Sequence, residues 1–149
     1  MIDINAKKEN CLARDKEFLS IYNDALDFMI RNRVPNPHDA ALWWTIENAQ
    51  PHYYLSYSRA YRVVCQMLTG KCVKFSSRLR QSMWGEVCQK VKSLIALHPY
   101  MSVAKALDFV LTHTRASRFF ITERQAQRGI ARSRKMRRQK LQAMFRPQS

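Results

Sequence analysis

Two stretches decide the fold of this chain: FLSIYNDALDFM at residues 18–29 and WGEVCQKVKSLI at residues 84–95. In the first, Phe18, Ile21, Tyr22, Ala25, Phe28 and Met29 recur at the i, i+3, i+4, i+7 spacing that lines one face of an α-helix. Sixty-six residues later the same six places hold Trp84, Val87, Cys88, Val91, Leu94 and Ile95. One matched position is easily met by chance, but a whole stripe is not, and the chain reads as an internal repeat.

Working outward, residues 18–64 align with 84–130 without a gap. A second, shorter helix is expected after Asn36-Pro37 and after Ser102, residues suited to accept from the first free amides of a helix. Its buried side would be Ala40, Trp43 and Trp44 in one copy and Ala106, Phe109 and Val110 in the other. Next, Tyr53-Tyr54-Leu55-Ser56 matches Phe119-Phe120-Ile121-Thr122: two aromatics, an aliphatic and a hydroxyl able to cap a third helix. The paired aromatics are expected to pack a core at the helix entrance rather than to form a base-stacking platform. Only three Gly and five Pro interrupt the chain, which favours helices over a turn-rich β fold.

The expected fold is therefore all-α, a tandem duplication of a three-helix unit with a basic C-terminal helical extension. It divides into an N-terminal arm (1–17), the first unit (18–68), a basic linker and helix start (69–83), the second unit (84–130) and the extension (131–149). Gly70 is placed to end the third helix of the first unit. The units either pack around one pseudo-twofold core or stand as two lobes joined by residues 69–77. A unit of about 50 residues buries little by itself, which favours packing.

Charge separates the two halves. Residues 1–68 carry 8 Lys and Arg against 8 Asp and Glu, whereas residues 69–149 carry 18 against 3. The whole excess of +15 lies in the second half, well beyond the roughly 2 to 8 that solubility asks of a small domain. Such a density attracts polyanions, and nucleic acid, DNA before RNA, is the expected partner. The expected contact residues are Arg118, Arg124, Gln125, Arg128, Arg132, Arg134, Lys135, Arg137, Arg138 and Lys140, with a second cluster at Lys71, Lys74, Arg78 and Arg80. Arginine forks match phosphate or the guanine edge, and glutamine can pair with adenine. A third helix after two shorter ones is like a helix-turn-helix, although the elbow at residues 48–56 is longer than that motif's turn and lacks its glycine. Like charges four apart, Arg128 with Arg132 and Arg134 with Arg138, predict a frayed extension that polyanion would order. Leu141, Met144 and Phe145 could anchor its end, and nothing after Gly129 forbids helix until Pro147.

Other classes find less support. Cys11, Cys65, Cys72 and Cys88 show no paired spacing and read as reduced thiols; Cys72, Cys88, His98 and His113 match no compact zinc pattern, so no metal or cofactor is expected. Gly70-Lys71 lacks the preceding glycine of a phosphate loop. With Glu86 and Asp108 the only acids between residues 69 and 122, no catalytic constellation assembles and no enzyme is expected. Residues 1–14 are polar and no apolar run reaches the roughly 20 residues of a membrane span, which predicts a soluble, cytoplasmic protein with no membrane partner. A competing function is an adaptor that binds a protein partner, or itself, through Trp43, Trp44, Tyr53, Tyr54, Tyr57 and Tyr61 of the first half.

The run from Pro51 to Val64, together with Arg115-Ala116-Ser117-Arg118-Phe119-Phe120-Ile121-Thr122, resembles small basic proteins of unassigned function from gut Bacteroidales and their mobile elements. The resemblance covers about Phe18 to Ile130. It implies no activity and no catalytic residues, and a mobile-element or phage setting in which small basic helical proteins often handle DNA.

Overall fold

The computed structural model describes residues 4–146, and the expected helix stop at Pro147 lies outside them. Six α-helices account for the secondary structure of the described residues: α1 (Ile4–Arg31), α2 (Pro37–Asn48), α3 (Tyr57–Leu68), α4 (Arg78–Leu97), α5 (Val103–His113) and α6 (Glu123–Met144). None is long and apolar enough to cross a membrane. The segment expected as an N-terminal arm is helical from Ile4 and continuous with α1.

Local chemistry explains most of the ends. Ser77, Ser102 and Thr122 cap α4, α5 and α6 by accepting from Arg80, Lys105 and Gln125 amides. After α3, Gly70 sits at φ 78°, with its N–H on the Met67 carbonyl and the Lys71 N–H on Gln66, the reciprocal closure that a glycine at this position permits. Two expected caps are absent: Asn36 lies in the left-handed region at φ 48° and neither it nor Ser56 makes a side-chain cap. With its backbone turned into that region, Asn36 begins α2 through Pro37, whose missing N–H needs no acceptor.

Packing does not follow chain order. The third helix of each half is exchanged: α6 lies on α1 and α2, while α3 lies on α4 and α5. The result is two cores. Phe18, Tyr22 and Ala25 of α1 and Ala41, Leu42 and Ile46 of α2 close around Phe119, Ile121, Ala126 and Ile130 from the far end of the chain. Trp84, Val87 and Val91 of α4 with Ala106, Leu107 and Val110 of α5 close around Tyr53, Ala60, Val63 and Val64. The halves therefore form neither a single shared core nor two lobes in sequence.

The exchange is built into the two connections. Residues 49–56 leave α2 through Ala49 at ψ 144°, and residues 114–122 leave α5 through Thr114 at ψ 160°, both extended. Pro51 enforces this in the first connection, since the residue before a proline is driven out of the helical region. The connections pass in opposite directions, Ala116 N–H donating to the Pro51 carbonyl (2.8 Å) and Phe119 N–H to Ile46 (3.1 Å). Helix carboxylates hold each one. Glu17 accepts from the His52 amide and ring, and Glu86 accepts from the Ser117 amide and the Tyr53 hydroxyl.

The buried face of α2 corrects the expectation from the gapless alignment. Ala41, Leu42, Thr45 and Ile46 are buried, whereas Trp43 and Trp44 are 54% and 44% exposed; in α5 Leu107 is buried and Phe109 exposed. The inward faces are 65 residues apart, not 66, because α2 is one residue longer than α5 and its following connection one shorter. Ala41 and Ala106, both fully buried, allow a close helix approach that an indole would prevent. Thr45 tolerates the interior because its hydroxyl donates to the Ala41 carbonyl at 2.7 Å.

Candidate functional site

The most basic element, α6, is tied to the fold at its first half only. Thr122 and Gln125 form a reciprocal capping box, Gln125 Oε1 accepting from the Thr122 N–H at 2.9 Å. The Gln125 carbonyl is thereby committed, and the expected adenine contact is open only if the cap is broken. Ala126, Gly129 and Ile130 face α1 and α2. One turn on, Arg132 Nε and Nη2 donate to Oδ2 of Asp15 at 3.2 and 3.0 Å. Asp15 is 3% exposed and also faces Arg14. Arg132, expected at the nucleic-acid surface, is thus an anchor between α6 and α1, with about half of its side chain still exposed.

Gly129 makes room for this pair. A Cβ there would stand 2.5 Å from Asp15 Oδ1. In an exposed helix Gly→Ala gains up to about 1 kcal/mol, but here the Asp15 carboxylate, held by Arg132 and Arg14, would have to shift. Gly129→Ala is expected to cost about 1–2 kcal/mol net in urea unfolding. The same change in an Asp15→Ala background should stabilise the chain, because helix propensity then acts alone.

Past Ser133 the helix is exposed, with Arg134 still near enough to α1 for its charge to act on the Tyr22 hydroxyl. Every residue from Arg134 to Arg146 is exposed, including Met136, Leu141, Met144 and Phe145, so the expected apolar anchor is not packed. The helix is unbroken to Met144, its first three turns held by the capping box and the Arg132–Asp15 pair. At about 100° per residue, Arg124, Arg128, Lys135 and Arg138 follow the stripe opposite the buried face. Arg137 and Lys140 continue the line of the buried stripe beyond the end of the core. The arm therefore carries cations all round. Among the described residues, Arg134, Lys135, Arg137, Arg138 and Lys140 make no ion pair.

A second basic feature lies where the connections cross. A groove of about 1050 Å³ runs over both connections between the N-terminal parts of α1, α3, α4 and α6. Lys7, Arg14, Arg59, Arg62, Arg80 and Arg118 line it, and among the described residues no carboxylate does. Arg118 pairs with Glu47 at 3.3 Å and Arg14 with Asp15 at 3.4 Å. Arg80 and Arg118 belong to the set expected from sequence. Lys7, Arg14, Arg59 and Arg62 do not, because they sit in the half whose charges balance. Of each aromatic pair, the first residue is buried in a core as expected (Tyr53, Phe119); of the second residues, both half-buried in the groove lining, Phe120 also packs against the second core and Tyr54 does not. Lys71, Lys74 and Arg78 are exposed on the connection to α4 and its first turn, outside the groove.

The tyrosines here carry a pH dependence. Burial and then the Glu86 carboxylate push the Tyr53 hydroxyl well above the usual tyrosine value, and burial and then Glu17 do the same for Tyr54. Unfolded tyrosine ionises near pH 10. Their stabilisation is complete below that pH and is lost as pH rises toward the raised folded values. The urea midpoint is expected to fall steeply above about pH 10, and less steeply in Tyr54→Phe.

Glu86, one of the two acids weighed for catalysis, is spent on Tyr53 and Ser117. The cysteines lie in unlike surroundings, Cys88 buried and Cys72 exposed, and among the described residues no three His, Cys, Asp or Glu side chains gather as a metal site would require. No family model matches the chain, and no curated protein or solved structure is detectably similar to it.

Proposed function

We propose that this protein is a non-enzymatic, cytoplasmic nucleic-acid-binding protein that grips duplex DNA, in preference to RNA, with the projecting half of α6. The observation that carries the reading is the arm itself. A continuous helix runs on past Ser133 with five cations within seven residues that make no ion pair among the described residues, on a backbone anchored by Asp15. Such a helix fits a major groove about 12 Å wide, and its cations reach phosphates on either side. The exchanged arrangement also supports a tandem origin for the two halves: Phe18 and Trp84, Tyr53 and Phe119, Ala60 and Ala126, and Val64 and Ile130 hold matching places in the two cores. A mobile-element setting accords with this activity. Anisotropy of the full chain against duplex DNA, single-stranded DNA and RNA across a salt series tests it. A steep log–log slope, equivalent to roughly 6 to 10 phosphate contacts, is expected on duplex DNA. Weak binding to all three at low salt would refute the reading.

A second reading, a protein-binding adaptor, draws on the consecutive Trp43 and Trp44, both about half exposed on α2. Exposed indoles are common interface anchors. Concentration-dependent sedimentation that is abolished by Trp43→Ser with Trp44→Ser would favour it.

A further inference from the structure

We infer that the groove over the crossed connections is a second contact surface, for an unpaired nucleic-acid strand. The inference rests on nucleic-acid binding by this chain and extends it to a site separate from the arm. Charge is the first reason. Among the described residues, Arg59, Arg62 and Arg80 make no ion pair and no carboxylate lines the groove they face. Arg14 adds a buried Nε with no hydrogen-bond partner, a donor already desolvated and lacking an acceptor. At the mouth of α3, Ser56 leaves the first helix amides without a side-chain cap, and phosphate oxygens are natural acceptors for such amides.

Shape and aromatic content then choose the form of polyanion. At about 1050 Å³ the groove lies at the upper end of small-molecule sites, with space for a run of nucleotides rather than a lone phosphate. Tyr54 and Phe120 lie in its lining, one from each connection. Bases in a duplex are already stacked on their neighbours, whereas a single strand can lay a base on an aromatic ring while arginines track its backbone. An acidic peptide would use the cations and leave the rings idle. Arm and groove together would suit a duplex flanked by an unpaired strand.

The test uses the full chain, a labelled 12-residue oligothymidylate and a 12-base-pair duplex. Arg59→Gln with Arg62→Gln removes two exposed charges outside both cores, and an unchanged melting midpoint would certify the fold. The salt slope on oligothymidylate is expected to fall by about 1.4, at roughly 0.7 for each phosphate no longer neutralised, with duplex binding unaltered. Tyr54→Leu should weaken oligothymidylate alone by about 5- to 150-fold, the range for removing one base stack. Photo-crosslinks from 4-thiothymidine should map to Tyr54 or Phe120. Binding to neither probe would overturn the nucleic-acid reading itself. Binding to both, with oligothymidylate indifferent to the groove variants and crosslinked only to residues 134–146, would overturn the groove inference alone. Equal affinity for polyglutamate of matched charge would also overturn it, assigning the groove to polyanions at large.

Discussion

Replacing Arg134, Lys135, Arg137, Arg138 and Lys140 together by glutamine is expected to lower the log–log salt slope of duplex-DNA binding by about 4.5, at roughly 0.9 for each phosphate neutralised. Raising salt from about 50 to 200 mM would then cost the variant about 500-fold less affinity than the parent chain, because most of its counterion release is gone. The variant should fold as the parent does. All five side chains are exposed and make no ion pair among the described residues, and glutamine is nearly as good a helix former as lysine or arginine. Removing the like-charge pair Arg134–Arg138 relieves a repulsion of a few tenths of a kcal/mol. Arg132 is left in place deliberately, since its loss would release Asp15 and confuse binding with stability. An unchanged slope would remove the arm from the interface.

The second large effect concerns the exchanged helices. Phe18→Ala and Phe119→Ala should each cost about 3–5 kcal/mol, as for any phenylalanine truncated in a packed core. At this chain length the melting midpoint would fall by about 10 °C or more. Both rings are 2% exposed, and they meet edge to face with centroids 5.0 Å apart. A double-mutant cycle with the milder Phe18→Leu and Phe119→Leu, which keeps the double variant folded, should return a coupling of about 0.5–1.5 kcal/mol. Phe18 and Tyr53 lie in different cores, and their leucine variants should add within about 0.5 kcal/mol. A chain folded as two units in sequence order would reverse that outcome, because Tyr53 would then take the place of Phe119 beside Phe18.

Much of the site was legible from local rules. The stripes from Phe18 and Trp84 turn inward except at Phe28, which is exposed near the end of α1; Gly70 closes α3, Thr122 caps α6, and α6 outgrows its core where the apolar period gives way to Arg134 and Lys135. These features depend on residues a few positions apart, so periodicity and capping chemistry reveal them. Charge counting located the arm for the same reason, since its cations are nearly consecutive. It passed over Arg59 and Arg62 because a window sum cannot register that Asp15 and Glu17, two of the acids that balance them, are turned to Arg132 and His52.

The sequence by itself determined that the chain is helical, where four of its six helices carry their buried stripes, and that its positive charge gathers at one end. Tertiary structure alone decided which helix covers which stripe. Ala60 and Val64 on α3 and Ala126 and Ile130 on α6 are near-equal knobs, and either set would fill either core by hydrophobicity. The choice fell to the extended connections, the Gln50-Pro51 backbone and the carboxylates of Glu17 and Glu86, which hold the two crossings in place. That crossing sets Arg14 and Arg80 beside Arg59 and Arg62, and it gives Arg132 a buried partner 117 residues away in the chain. A contact of that span depends on the path of the whole backbone, which no local pattern encodes.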